Sequence, residues 1–311
     1  MYDTINLWLS SDKVNDLDIS KTLQYLSKVV EHSRDDGQIY YSGVLGQNYK
    51  IVCSIMGVSI KGSLAKYYLS DNFKTLTRSD SEKAIEKLSD ELNLPINKAK
   101  VSRLDFATNL LMDCKPEKYY DYLGDCRYYN KLMQPKSLYY TNGLRQKIFY
   151  NKIAEANSKK MIIPDVWKGQ NVLRYEMRYI SRLPKEFNIS QVTASHLYDE
   201  KFYMGVFDRW HDEYETINKK QNINMNFENI SSPKDFERQL MLKAIDDIGG
   251  PERTMQIIEE LRDRKVFSKP EYYSRLKKGI KSLCNSPRIT TKSDLISELN
   301  KKIAESKRYY R

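Results

Sequence analysis

The sequence predicts an α+β fold: a mostly antiparallel sheet with packed helices, followed by an all-helical, basic C-terminal domain. Three observations carry this expectation. Residues 101–110 (VSRLDFATNL) and 171–180 (NVLRYEMRYI) alternate with period two, as half-buried strands do. Two further pairs of alternating runs flank short turn sequences, the pattern of β-hairpins. Beyond residue 233 the chain reads as helix after helix, with stops at Gly249-Gly250-Pro251, Pro270 and Pro287.

In chain order, residues 2–9 (YDTINLWL) alternate and open the chain as a strand. Residues 19–30 read as a helix, with Leu23, Leu26, Val29 and Val30 on one face. Residues 38–45 and 49–56 surround Gly46-Gln47-Asn48 as a hairpin surrounds its turn. A short run, residues 58–61, leads into Gly62-Ser63-Leu64-Ala65-Lys66, which has the composition of a turn and, with Lys66, of a weak phosphate cradle. Residues 79–92 form a helix capped by Ser79 or Asp80, with Ala84, Ile85, Leu88 and Leu92 inside and Pro95 past its end. The first acid-bearing strand follows, then a tyrosine-rich, helix-like stretch after Pro116. Residues 137–140 and 146–153 pair around Thr141-Asn142-Gly143, and a loop with Pro164 and Gly169 leads to the second acid-bearing strand. Residues 190–220 turn helical and carry Trp210 and Tyr214. Residues 222–232 have the polar composition of a linker, so the expected division is 1–221, linker, and 233–311.

Composition narrows the class. With 40% hydrophobic and 30% charged residues the chain is folded rather than disordered, and no apolar run approaches the roughly 20 residues of a membrane span. The N-terminus lacks the basic-then-apolar order of a signal peptide. Cys53, Cys114, Cys126 and Cys284 form no CxxC pair, which suits reduced thiols in a cytoplasm and argues against a zinc site. The net charge of +11 and 24 tyrosines suit a nucleic-acid partner, since bases stack on aromatic rings set among cations. From Ser231 to Arg311 there are 19 basic and 12 acidic residues, so this tail supplies most of the excess.

The strands carry the chemistry. In residues 101–110, Leu104, Phe106 and Leu110 share one face, and Arg103, Asp105, Ala107 and Asn109 the other. In residues 171–180, Leu173, Tyr175, Met177 and Tyr179 oppose Arg174, Glu176 and Arg178. An acid beside arginines is ordinarily a solvated ion pair. Its recurrence on a second strand points to the floor of an active site. Residues 147–156 (KIFYNKIAEA), read as a strand, put Tyr150 and Lys152 on one side together with Ile148, a pairing that says little alone.

Four stretches in order give the pattern a family. IKGSLAKYYLSDNF (60–73), VSRLDFATN (101–109), KIFYNKIAE (147–155) and LRYEMR (173–178) resemble the phage and plasmid replication proteins of the gene II/X family and, more distantly, plasmid rolling-circle initiators. The resemblance covers most of residues 1 to about 220 and leaves the helical tail unmatched. It implies a Rep nuclease-like fold and a nickase that cuts one strand of a replication origin, starts rolling-circle replication and can reseal the strand. It implies Tyr150 as the nucleophile, leaving a 5′-phosphotyrosine and a free 3′-OH. It places Asp105 and Glu176 at the family's acidic positions, where they are expected to hold Mg²⁺ or Mn²⁺.

Around these, Lys152 is expected to stabilise the phenolate or the phosphate, and Arg103, Arg174 and Arg178 to grip neighbouring phosphates. Glu155 stays open between third ligand, general base and surface charge. Tyr139, Tyr140 and Tyr175 lie near enough in sequence to compete with Tyr150. His32, His196 and His211 lack the His-hydrophobic-His spacing of many rolling-circle nucleases, so metal chemistry must rest on carboxylates. In the tail Lys265, Arg275, Lys277, Lys278 and Lys281 form the densest positive run, suited to duplex grip or merely to a solvated helix face. The expected partners are origin DNA, single-stranded or hairpin with flanking duplex, and host helicase and polymerase, in a bacterial cytoplasm without a membrane. A homodimer is compatible with this reading. Two alternatives are a catalytically silent single-strand-binding module, and the same nicking chemistry used for mobilisation or transposition.

Overall fold

Alternation, hairpin turns and helix caps place most of the elements. A computed structural model describes residues 1–14, 17–46, 49–220, 230–284 and 294–309. The chain opens with β1 (Tyr2–Ser10) and a short helix, α1 (Ile19–Leu23). The expected helix over 19–30 is overturned here, because its second half is β2 (Ser27–Ser33). β-branched Val29 and Val30 favour extended backbone, and β3 (Ile39–Leu45) offers a strand to pair with. β4 (Tyr49–Ser54) completes the expected hairpin with β3; Gln47 and Asn48 of its turn lie outside the described residues. Gly57 opens β5 (Gly57–Ser63) with φ +143°, where a Cβ would meet the Leu9 carbonyl oxygen at 2.2 Å.

Ser63 then caps α2 (Leu64–Leu69), so the stretch expected as a turn around Gly62 is the end of a strand running into a helix. α3 (Arg78–Leu92) starts earlier than expected: Thr77 caps it and Asp80 returns the bond to the Thr77 amide, a capping box. β6 (Lys100–Met112) is the first acid-bearing strand. The tyrosine-rich stretch shrinks to one turn, α4 (Glu117–Tyr120), followed by β7 (Leu123–Cys126) and β8 (Asn130–Gln134), neither of which was expected. β9 (Ser137–Thr141) and β10 (Arg145–Asn151) form the second hairpin. The strand expected over 147–156 ends early, because Asn151 accepts from the Ala154 amide and caps α5 (Lys152–Ser158). β11 (Asn171–Tyr179), the second acid-bearing strand, is followed by α6 (Leu183–Phe187), α7 (Glu200–Glu215) and β12 (Ile217–Lys219).

Ten strands make one antiparallel sheet in the order β2-β3-β4-β5-β1-β6-β11-β10-β9-β8, and β12 pairs with β7 apart from it. Residues 222–229 of the expected linker, and Pro287, lie outside the described residues. The helical region that follows contains α8 (Pro233–Asp247), α9 (Gly250–Asp263), α10 (Pro270–Cys284) and α11 (Asp294–Tyr309). Contacts divide the chain into Met1–Asn218 with Glu298–Arg311, and Lys219–Ser297. The end of the tail therefore belongs with the sheet rather than with the other helices. Leu299 and Ile303 of α11 are fully buried, Tyr214 donates to Asn300 at 2.5 Å, and Lys307 pairs with Asp208 at 3.0 Å. In the smaller unit Leu242, Ile245, Ile258 and Tyr273 are buried between α8, α9 and α10. No helix among the described residues is long and apolar enough to cross a membrane.

The two faces of the sheet centre differ sharply. On one, Phe106, Tyr175 and Phe149 pack against Phe207, Trp210 and Tyr214 of α7; Phe149 and Tyr175 stack at 4.4 Å. The other face carries charge.

Candidate active site

Register brings the charged residues together. Because β6, β11, β10 and β9 are antiparallel and in step, their front-facing side chains form three rows. Asn109, Arg174, Tyr150 and Ser137 make the first; Ala107, Glu176, Ile148 and Tyr139 the second; Asp105, Arg178, Gln146 and Thr141 the third. Tyr150, Asp105 and Glu176 thus share one face of three adjacent strands.

Each acid is held by a guanidinium. Arg103 donates twice to Asp105, at 2.8 and 2.7 Å. Arg178 Nε donates to Glu176 at 2.6 Å and stands 3.6 Å from Asp105, so it bridges the two carboxylates. Arg174 donates to Asp3 at 2.5 Å, to the Asn72 carbonyl at 3.1 Å and to Asn109 at 3.0 Å. Its Nε is buried without a hydrogen bond, 3.7 Å from Glu176. The Tyr150 hydroxyl donates to the same Glu176 oxygen at 3.3 Å.

A roof of local structure closes the first row. Asn109 donates to the carbonyls of Asn72 and Phe73, at 3.1 and 3.0 Å, and fixes that segment over the sheet. Lys152, at the start of α5, is buried; it donates to Asn72 at 2.8 Å and to Glu155 at 2.7 Å, and lies 5.1 Å over the Phe73 ring. Glu155 also accepts from Lys159 at 2.6 Å.

These surroundings set the protonation states. Burial holds the Tyr150 hydroxyl well above its usual range; Arg174 works against this, and Glu176, Asp3 and Glu155 reinforce it. Burial also raises Asp105, and Glu176 adds to the effect against the Arg103 bond. Asp3 goes the other way: burial works to raise it, but Arg174, the Ser63 hydroxyl, Lys152 and Asn72 together bring it down to about 2. Lys152 falls to about 8, through burial and then Arg174, with Glu155 opposing.

The residues expected from sequence are therefore placed unequally. Tyr150, Asp105, Glu176, Arg174 and Arg178 share the site, with Arg103 at its edge. Lys152 and Glu155 lie beside it, bonded to each other and not to Tyr150. Arg174 is fully buried and has no surface through which to grip DNA, whereas Arg103 and Arg178 remain 31% and 30% exposed. Lys66 lies on α2, and Lys277 and Lys278 on α10 in the smaller unit, where Lys277 pairs with Glu259 and Lys278 is exposed. Tyr140 and Tyr175 are buried on the opposite face, donating to backbone carbonyls of Gly124 and Trp210, which separates them from Tyr150. Sequence reasoning missed Asp3, Asn72 and Ser63. An acid inside the alternating strand YDTINLWL was the available signal for the first.

Among the described residues no group of three or more His, Cys, Asp or Glu side chains converges as a metal site. Asp105 and Glu176 are an oxygen-only pair of the kind that suits Mg²⁺ or Mn²⁺, and in this arrangement arginines neutralise them.

No curated protein matches the sequence. The family model for the N-terminal region of a phage replication-associated protein matches residues 1–198, a span that includes Asp3, Asp105, Tyr150 and Glu176. The chain thus belongs to this family of phage replication-associated proteins.

Proposed function

We propose that the protein is a rolling-circle initiator that nicks one strand of its origin through Tyr150. The observation that carries this reading is the Tyr150 hydroxyl donating to Glu176 on a face shared with Asp105, Arg174 and Arg178. In the reaction Tyr150 loses its proton and its oxygen attacks phosphorus. The bond to the 3′ oxygen breaks, leaving a 5′-phosphotyrosine and a free 3′-OH once that oxygen takes up a proton. Reversal of the same step reseals a strand.

The resting site holds Tyr150 protonated, so it needs added positive charge to act. Asp105 and Glu176 are the residues that would hold a divalent cation, whose charge would polarise the phosphate and favour the phenolate. Glu176 is the hydrogen-bonded acceptor for the leaving proton. Arg103 and Arg178, both partly exposed, are the guanidiniums able to bind phosphate. Lys152 and Glu155 act as positioning residues through Asn72 and Arg174. Single-stranded or hairpin origin DNA is the substrate, the basic helix α10 grips flanking duplex, and host helicase and polymerase act on the opened strand and the 3′-OH.

A second reading, a silent single-strand-binding module, is favoured by one fact: both carboxylates are already paired with arginine. Covalent capture on denaturing gels separates the two. Labelled single-stranded oligonucleotides from the intergenic region beside the gene are incubated with Mn²⁺ or with chelator. A metal-dependent shifted band that disappears in Tyr150→Phe is expected. Salt-sensitive binding with no covalent band would instead establish the binding module.

A further inference from the structure

The front face continues outward past the charged cluster. In register with Glu176 come Ile148 on β10, Tyr139 on β9 and Leu132 on β8. This row is apolar and opens steadily: Ile148 is buried, Tyr139 half-buried and Leu132 56% exposed. The rows on either side are neutral and polar. Gln146 donates to Thr141 at 3.1 Å on one flank, and Ser137 to Gln134 at 3.1 Å on the other. Tyr150 pairs with Ser137, so Tyr139 is its diagonal neighbour, within reach of a long side chain or of a nucleotide held there.

An apolar strip with an aromatic ring, bordered by amides and hydroxyls, has the chemistry of a nucleobase: an apolar face and polar edges. Arg178 and Arg103, both partly exposed on this face, supply the complementary charge for the attached phosphates. In duplex DNA the faces of the bases are stacked on each other, so only an unpaired base can present its face to Tyr139.

We propose that the front face of β8, β9 and β10 is a base-binding shelf for single-stranded DNA, on which Tyr139 stacks the base next to the phosphate attacked by Tyr150. This rests on the nicking reading for its position beside the scissile phosphate, but the shelf itself is tested without catalysis.

The test is equilibrium binding of a fluorescent single-stranded oligonucleotide from the intergenic region, in chelator, to wild type, Tyr139→Leu and Tyr139→Phe. Leucine keeps an apolar side chain and removes the stacking face; phenylalanine keeps both. Base–aromatic stacking of about 1–3 kcal/mol corresponds to a loss of roughly 5–150-fold for Tyr139→Leu. Tyr139→Phe should stay near wild type, and a duplex of the same sequence should bind all three proteins alike. Photocrosslinking of wild type with 5-iodouracil placed at successive positions needs no variant and should label Tyr139 from one position. Equal single-strand affinity for Tyr139→Leu and wild type, or crosslinks that avoid Tyr139, would overturn the shelf. If covalent capture succeeds alongside that result, the nicking reading stands alone. If the shelf result holds while wild type gives no covalent band, the nicking reading falls and the shelf remains as a binding site.

Discussion

The two acid-bearing strands, β6 and β11, lie side by side and carry the same Arg-x-acid pattern, yet their arginines sit in different surroundings. Arg103 turns back along its own strand to Asp105 and stays 31% exposed. Arg174 is fully buried and ties together Asp3 from β1, Asn72 from the segment above the sheet and Asn109 from β6. The difference comes from what lies over each row. The first row is roofed by Asn72, Phe73 and α5, whereas the Arg103 end keeps contact with water. The same motif thus supplies a structural rivet in one place and an accessible cation in the other.

Replacing the two arginines should break the comparison most visibly. Arg174→Met strands buried Asp3 and should cost about 3–5 kcal/mol in denaturant unfolding. Arg103→Met should cost less, about 1–3 kcal/mol, because Arg178 remains 3.6 Å from the buried Asp105, and should also weaken DNA binding. Equal destabilisation by both would mean that the roof over Arg174 does not matter.

The two carboxylates Asp3 and Asp105 should show opposite pH behaviour. Asp3 is held down to about 2, below its ordinary 3.8. Its stabilisation is therefore complete above the unfolded value and lost as pH falls from about 4 towards 2. Asp3→Asn should remove about 2 kcal/mol at neutral pH and flatten that acid limb. Asp105 is raised, so it binds its proton more tightly folded than unfolded. It costs stability as pH rises from the unfolded carboxyl range through its folded value. Asp105→Asn should therefore melt at a slightly higher temperature than wild type at neutral pH while giving no covalent band.

Lys152 offers a finer distinction. With its ammonium brought down to about 8, covalent capture should fall as pH rises through that value, since the charge facing Asn72 and Glu155 is then lost. Lys152→Arg should remove this alkaline limb, because arginine stays charged. Persistence of the limb in that variant would assign it to another group. The smallest effect is expected from Glu155→Gln. Glu155 is bonded to Lys152 and Lys159 and not to Tyr150, so capture should change by less than about tenfold.

Much of this arrangement was legible in the chain, and each failure has its own physical cause. Period-two alternation located β1, β6, β10 and β11, and placed Arg103 with Asp105 on one face of β6 and Arg174 with Glu176 on one face of β11, because strand geometry is local. The helix expected over 19–30 failed where β3 offered Val29 and Val30 a pairing partner, a non-local event. The strand expected over 147–156 failed because Asn151 caps a helix there, which moved Lys152 off the strand face that Tyr150 occupies. β7 and β8 were invisible because short, polar or exposed strands have no periodic signal of their own.

The sequence by itself determined which residues face the same way within each strand, since a backbone of period two leaves no choice. It determined too that the tail is helical and basic. Tertiary structure alone decided that β11 lies between β6 and β10, and so that Tyr150 stands beside Glu176. It alone brought Asp3 and Asn72, distant in the chain, onto Arg174. Burial then shifted the proton affinities of Tyr150, Asp105 and Lys152, because the cost of removing an ion from water depends on the whole surrounding fold and not on its neighbours in sequence.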